Sequence, residues 1–288
     1  MRATHAIVYF SVDAFIPLRG RIAPGFPEFC AELREANIPC IWLTSRSRAQ
    51  LDDPLRKLDH QEPFIAEGGS GVYIPEDYFH LRGEKSERRG RFLCIPVAQA
   101  QPVAAEALES LSQETGVEAV ALRSLSPREL AQNSGLPQRE AELARQRDFD
   151  ELFFFAGASD SDIERFREEA ARRKLQLRSR GVLWSLAAGA SVPQCVREIT
   201  KLYDRALHGH APTIAVAPAE EAAETGNSSG AIGACDRQFF LGARPGLAGT
   251  SPGEVPAASA GKGSRTKWIS LSSAEDWEEL ARQIAATR

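Results

Sequence analysis

No run of eighteen apolar residues occurs anywhere in this 288-residue chain, which excludes an ordinary membrane-spanning helix. Nor does the N-terminus carry a basic region, an apolar stretch and a cleavage site; Asp13 would interrupt such a stretch. The expectation is a soluble, cytoplasmic protein. Surplus positive charge is missing too. A net charge of -4 and a pI near 5.9 make nucleic acid and anionic membranes poor partners. Cysteine is sparse: Cys30, Cys40, Cys94, Cys195 and Cys235 are scattered and never form a CxxC pair, so they read as reduced core residues. His208 and His210 are the only close histidine pair, with no cysteine or acid at ligand spacing, and read as a solvated loop.

What is present is enough apolar material, 43% of the residues, for one large domain or two smaller ones. The chain is organised around its first stretch, AIVYFSVDAFIPL at 6–18. Ile7 to Phe10 form a short continuous apolar run that suits a strand buried on both faces of a parallel sheet. In an open α/β sheet, chemistry sits beyond the carboxyl ends of the strands, and that is where Ser11 and Asp13 fall.

Further along, Phe26, Phe29, Cys30 and Leu33 share one face of a helix over 24–37. PCIWLT at 39–44 is a second buried strand, and Thr44, Ser45 and Arg46 leave it at the same sheet edge. EPFIAEGGSGVYIP at 62–75 reads as strand, glycine-rich turn and strand. The charged segment LRGEKSERRGR reads as a solvated linker. Strands over 92–97 and 119–122 flank a helix over 103–115. Two short proline-started helices, over 127–133 and 137–147, precede a strand at 152–156. A helix over 161–174 opens with the capping pair Ser161 and Glu164, and strands surround Leu177 and Trp184. Ser191 caps a helix running through Leu207. Strands at 212–216, 238–241 and 267–271 and a helix after Ser273 end the chain, and the Gly-, Ala-, Ser- and Pro-rich stretch 245–264 is expected to be a flexible loop. The predicted fold is α/β. It is a doubly wound, Rossmann-like parallel-sheet core (1–83 and 187–288) with an α/β cap inserted at 84–186.

This order of parts resembles the haloacid-dehalogenase superfamily of phosphatases, and within it the mannosyl-3-phosphoglycerate phosphatase family. The resemblance covers most of residues 5–243. LTSRSRAQL at 43–51 is similar to that family's Thr-Ser-Lys-Thr-Arg-Ala-Glu, and PFIAEGGSGVYIP at 63–75 to its Pro-Phe-Ile-x-Glu-Asn-Gly-x-x-Ile-Tyr-Ile-Pro. LSPRELAQNSGLPQREAELARQRDFDEL resembles its cap segment ending in Arg-Glu-Tyr-Ser-Glu. The resemblance implies an aspartyl-phosphate mechanism. One aspartate attacks phosphorus, and a second, two residues on, protonates the leaving alcohol. A hydroxyl and a lysine hold the phosphate, and magnesium sits on acids. Phosphoryl transfer is catalysed by positioning and by neutralising charge on the equatorial oxygens, and magnesium wants hard oxygen ligands.

The chain departs from this pattern at the decisive positions. Ser11 stands at the nucleophile position and Asp13 at that of the acid; the lysine falls near Val192 or Pro193; the late loop reads VAPAEEA instead of Gly-Asp-x-x-x-Asp. Asp13, Glu220 and Glu221 are the acids left for magnesium. Losing the nucleophile of a covalent site costs about 10⁴–10⁶ in kcat, so catalysis is expected to be weak or lost. Thr44, Ser45 and Arg46, then Glu67, Gly68 and Gly69, and Arg147 and Glu151 are the substrate-binding candidates by resemblance. Each also has a structural reading: strand cap or helix start, tight hairpin, helix C-terminal charge cluster. In place of the family's Gly-Gly-Arg-Phe stretch, SRGVLWSL displaces the arginine to Arg178 or Arg180. The ligand implied is a phosphorylated sugar or glycerate. Three functions stay open: a magnesium-dependent sugar-phosphate phosphatase, a non-catalytic binding or regulatory pseudoenzyme, and a structural partner of an active paralogue.

Overall fold

A computed structural model describes residues 4–18, 21–79, 86–224, 231–242, 266–271 and 273–287. The expected loop at 245–264 and the first part of the expected charged linker, 81–85, lie outside the described residues. Strand β1 (Ile7–Ser11) is central, as its apolar run predicts. On one side it pairs in parallel with β2 (Cys40–Leu43), which pairs with β3 (Phe64–Ala66). Antiparallel strands β4 (Gly71–Pro75), β6 (Phe92–Pro96) and β5 (Glu87–Arg89) complete that side.

The antiparallel cap sheet has the order β7-β8-β10-β9, from β7 (Ala119–Ala121), β8 (Glu151–Phe155), β9 (Leu175–Arg180) and β10 (Leu183–Ala188). On the other side of β1 the core sheet continues with β11 (Thr213–Pro218), β12 (Arg237–Leu241) and β13 (Thr266–Ile269), all parallel.

Alternation along β1 sends Val8 and Phe10 to one face and Ile7 and Tyr9 to the other. Against the first face pack α1 (Phe26–Glu35), α2 (Arg48–Lys57) and Trp277 of the C-terminal helix at 274–285. Phe10, Phe26, Phe29 and Trp277 form an aromatic cluster with centroids 5.2–6.3 Å apart. The residues expected to face inward from α1 are the ones it buries. The five cysteines are buried and free, as read from the sequence.

In the cap, α3 (Gln101–Thr115) covers one face of the sheet, while α4 (Pro127–Ser134) and α5 (Gln138–Ala144) cover the other. The helix α6 (Asp160–Arg172) packs beside α3. Against the second face of the core sheet lies α7 (Val192–Leu207), burying Val196, Ile199, Leu202 and Tyr203 as its apolar spacing predicts. A short helix α8 (Ala219–Glu224) follows β11, and α9 (Ala274–Ala285) is the C-terminal helix just described.

Two sequence expectations are corrected. Strand β6, assigned to the insert that was to begin at 84, and β5, in the stretch expected to be a solvated linker, run in the core sheet, because Phe92 and Cys94 are buried in its core and β5 pairs with β6. The chain enters the second sheet only after Pro96. And α6 is capped by Ser159 with Asp162, not by Ser161 with Glu164. Both pairs have the three-residue spacing of a capping box, but Ser159 is the residue with extended backbone, as an N-cap requires. Among the described residues, no helix is long and apolar enough to cross a membrane.

Candidate functional site

The parallel strands end at one edge, and there the sequence placed its chemistry. The amide of Val12 donates to the Leu43 carbonyl (3.0 Å), and the chain then turns through residues 12–16. This turn presents Asp13 to the segment following β2. One oxygen of Asp13 accepts the Thr44 hydroxyl, and the other accepts the Ser45 amide at 2.8 Å. Arg46 places Nε 3.7 Å from the same carboxylate and donates through its terminal nitrogen to the Ile16 carbonyl. Asp13, Thr44, Ser45 and Arg46 are thus brought together, and the first turn is tied to the second. Arg46 is buried, which lowers its pKa against the pull of Asp13 and Glu140.

Ser11 donates from Oγ to Oε2 of Glu221 at 2.9 Å. Glu221 gets there because β11 ends at Pro218 and α8 starts at once. One acid of that helix turns inward, while Glu220 is exposed. The sequence read the two acids as equivalent; only Glu221 reaches Ser11.

Glu67 sits at the tip of the hairpin between β3 and β4, at φ 51, and is almost wholly buried. Its carboxylate accepts the amides of Asp148 (2.9 Å), Phe149 (2.9 Å) and Asp150 (3.0 Å) in the cap. Burial, and then Asp150, push its pKa up to about 8, with Arg147 and the amides pulling the other way. Arg147 grips Asp150 with two nitrogens and donates to the Ser45 carbonyl at 2.8 Å. Burial alone would lower the Arg147 pKa, but Asp150 and Glu67 outweigh it. Glu67 and Arg147, expected to meet substrate, join cap to core.

The neighbouring glycines serve the same junction. At Gly69 (φ 94) a Cβ would lie 2.6 Å from the backbone nitrogen of Val192, so the turn can touch the start of α7 only as glycine. The Gly69 carbonyl accepts the Ser191 amide (2.8 Å) and the Cys195 thiol (3.3 Å). The Gly68 carbonyl accepts from Arg178. Glu151 does not join this group. It is buried beside Gln101 and Arg123 in the cap, where burial raises its pKa to about 7.

Asp150 was not singled out from the sequence. Its only signal is the three-residue spacing from Arg147. Arg178 and Arg180 were noticed, but not as members of the junction. They alternate on β9, so both project from one face of the cap sheet toward Gly68.

No family model matches the chain. It is 26% identical over 171 residues to a glucosyl-3-phosphoglycerate/mannosyl-3-phosphoglycerate phosphatase of Methanococcoides burtonii. The match covers 59% of this chain and 62% of that relative's own length. Solved structures cover more of it. A haloacid dehalogenase-like hydrolase from B. subtilis superimposes with a TM-score of 0.57 at 13% identity, over 98% of this chain and 99% of that one. A sugar phosphatase of haloacid-dehalogenase subclass IIB gives 0.52 at 11% identity, over 83% and 88%. The chain has the haloacid-dehalogenase fold.

In that fold family a magnesium ion is usual, and this chain offers it a poor donor set. Both Asp13 oxygens already accept from Thr44 and Ser45, with a guanidinium 3.7 Å away. At Ser11 the oxygen is an uncharged hydroxyl that donates to Glu221. Among the described residues, no three His, Cys, Asp or Glu side chains converge as a metal site requires. The described residues do not fit the ion.

Where the resemblance puts the phosphate-binding lysine, Val192 packs its methyl against Gly69. Lys201, two turns further along α7, pairs with Glu198 at 3.0 Å on the exposed side of the helix, and Arg197 is exposed. No cation of α7 reaches the Ser11 edge among the described residues.

Proposed function

We propose that this chain is a haloacid-dehalogenase-fold protein that binds a phosphorylated sugar or glycerate between its core and its cap. In this reading phosphatase chemistry is weak or lost. We take residues 97–190 as the cap and the remainder as the core. The class of ligand comes from the curated relative, a phosphatase of sugar-phosphoglycerates, at 26% identity. One observation carries the loss of chemistry: Ser11 donates its hydroxyl to Glu221 at 2.9 Å, at the position where the resemblance implies a nucleophilic carboxylate. A hydroxyl hydrogen-bonded to an acid on a six-residue helix, with no lysine beside it among the described residues, supplies neither the charge nor the covalent acceptor that phosphoryl transfer uses.

The test is phosphate release from glucosyl- and mannosyl-3-phosphoglycerate, with and without magnesium, beside the melting temperature with each compound. The expected result is no enzymatic release and a rise of a few degrees at saturating ligand, about 2.7 kcal/mol of stabilisation at 100 times Kd. Magnesium-dependent turnover overturns the non-catalytic reading, and the absence of any melting shift overturns the binding reading.

A second reading, a slow phosphatase, is favoured by the reach of Glu221 into the edge beside Ser11. It places a relocated carboxylate against Ser11, and the same release assay decides between the two.

A further inference from the structure

The arginines of the core–cap junction differ in how closely acids pair them. Arg46 has Asp13 at 3.7 Å and Glu140 at longer range. Arg147 takes both oxygens of Asp150 and lies 4.0 Å from Glu67. Arg178 and Arg180 come last. Arg178 donates to the Gly68 carbonyl, and Arg180 donates from Nε to Ser185 Oγ at 3.1 Å. The carboxylate next to Arg180 is Asp150, 3.9 Å from Nη2 and already gripped twice by Arg147. Burial lowers the pKa of both groups, Arg180 to about 10, whereas acids outweigh burial for Arg147.

Geometry adds a more direct sign. Nη1 of Arg180 is buried and has no hydrogen-bond partner. A buried charged donor left unpaired is costly, so the position is one that an acceptor from outside the chain would satisfy.

Both guanidinium groups lie against the β3–β4 hairpin. They abut Gly68, whose amide donates to the Thr44 carbonyl at 3.0 Å, and Thr44 in turn binds Asp13. The next residue, Gly69, touches Val192 and Cys195 at the start of α7. Thus β9 brings positive charge to the hairpin next to the Asp13 turn, where α7 brings none among the described residues. A planar guanidinium offers a phosphoryl group paired donors, and it needs no carboxylates to hold it as a metal ion does.

We propose that Arg178 and Arg180 bind the phosphoryl group of a ligand in this cleft, without a divalent ion. The proposal rests on the preceding reading that the cleft takes a phosphorylated ligand, and explains how it does so with a donor set unfit for magnesium.

Calorimetric titration with inorganic phosphate and with 3-phosphoglycerate, each in EDTA and in excess magnesium, tests it on the whole chain. The dissociation constants are expected to agree within about twofold between the two buffers. Arg180→Gln should weaken binding at least tenfold and Arg180→Lys less, with unliganded melting temperatures recorded for each variant. Binding more than tenfold tighter with magnesium overturns the proposal while leaving the binding reading intact. Unchanged affinity in folded Arg180→Gln and Arg178→Gln also overturns it. If neither probe binds the wild-type chain in either buffer, it is the underlying binding reading that falls. Should Arg180→Gln fail to fold, the comparison of buffers on the wild-type chain still decides the role of the metal.

Discussion

Two parts of one sheet edge are built in opposite ways. At the end of β1 lie a serine, a half-exposed aspartate and one acid from a six-residue helix. At the β3–β4 hairpin, Glu67, Arg147 and Asp150 are almost fully buried and meet three backbone amides and a carbonyl. Buried charges are expensive and persist where geometry and partners are complete. The hairpin therefore holds the more tightly specified polar structure, and it specifies where the cap sits. The β1 end, where the resemblance places the reaction, has the looser and less charged set. Positioning is kept at full cost; charge for chemistry is not.

The comparison breaks most visibly at Arg147. Arg147→Ala leaves Asp150 and Glu67 buried with one cation fewer, which is expected to cost about 3–5 kcal/mol. At about 2–4 °C per kcal/mol for a chain of this size, the melting temperature should fall by roughly 10 °C, measured by calorimetry. A loss no larger than that of a surface substitution would mean that the hairpin cluster does not hold the cap.

The next effect is a pH dependence. Glu67 and Glu151 both have folded pKa values raised above the ordinary 4.5, to about 8 and about 7. A raised pKa means that the folded state favours the protonated carboxyl. This stability is fully present below pH 4.5 and is lost as pH rises through 7 and 8. Denaturant unfolding between pH 5 and pH 8.5 should show a decline on the order of 3 kcal/mol. Glu151→Gln, which leaves the hairpin untouched, should remove the part of the decline that is complete by about pH 7. A stability that climbs over this range would show that the amides and Arg147 govern Glu67 instead of burial.

A smaller loss is expected at Gly69. Alanine there must adopt φ 94 and push against the Val192 backbone nitrogen 2.6 Å away. The strain is about 1–3 kcal/mol, read as a shift in the urea midpoint. A neutral Gly69→Ala would mean that the turn yields.

Much of the fold could be read from the sequence because its signals are local. The apolar run at 7–10, the spacing in α1 and α7, and the Ser191 and Ser273 caps each depend on a few neighbouring residues. The boundary of the insert could not, because a strand such as β6 looks the same whichever sheet it joins; only the partners of Phe92 and Cys94 decide that. The candidate site divides in the same way. Asp13 with Thr44 and Ser45 follows from two adjacent strand ends, and the sequence put them together. Glu67 with residues 148–150 joins positions more than eighty apart, and a carboxylate that binds substrate has the same letter as one that clamps backbone. Likewise, the spacing in VAPAEEA cannot tell Glu220 from Glu221 until the helix start at Ala219 is known.

The smallest effect belongs to the β1 end. Ser11→Asp restores a carboxylate at the nucleophile position, yet it sets that carboxylate against Glu221, where Ser11 now donates at 2.9 Å. Two like charges so close disfavour having both ionised, and an attacking carboxylate must be ionised. Val192 still stands where a lysine would neutralise the phosphate, and Asp13 stays engaged with Thr44, Ser45 and Arg46. Phosphate release from mannosyl-3-phosphoglycerate in magnesium should therefore change by less than about tenfold. A gain anywhere near the 10⁴–10⁶ that a nucleophile is worth in a complete site would show that the rest of the machinery is already in place. In that event the β1 end lacks one group only, and the contrast between the two parts of the edge reduces to a single side chain.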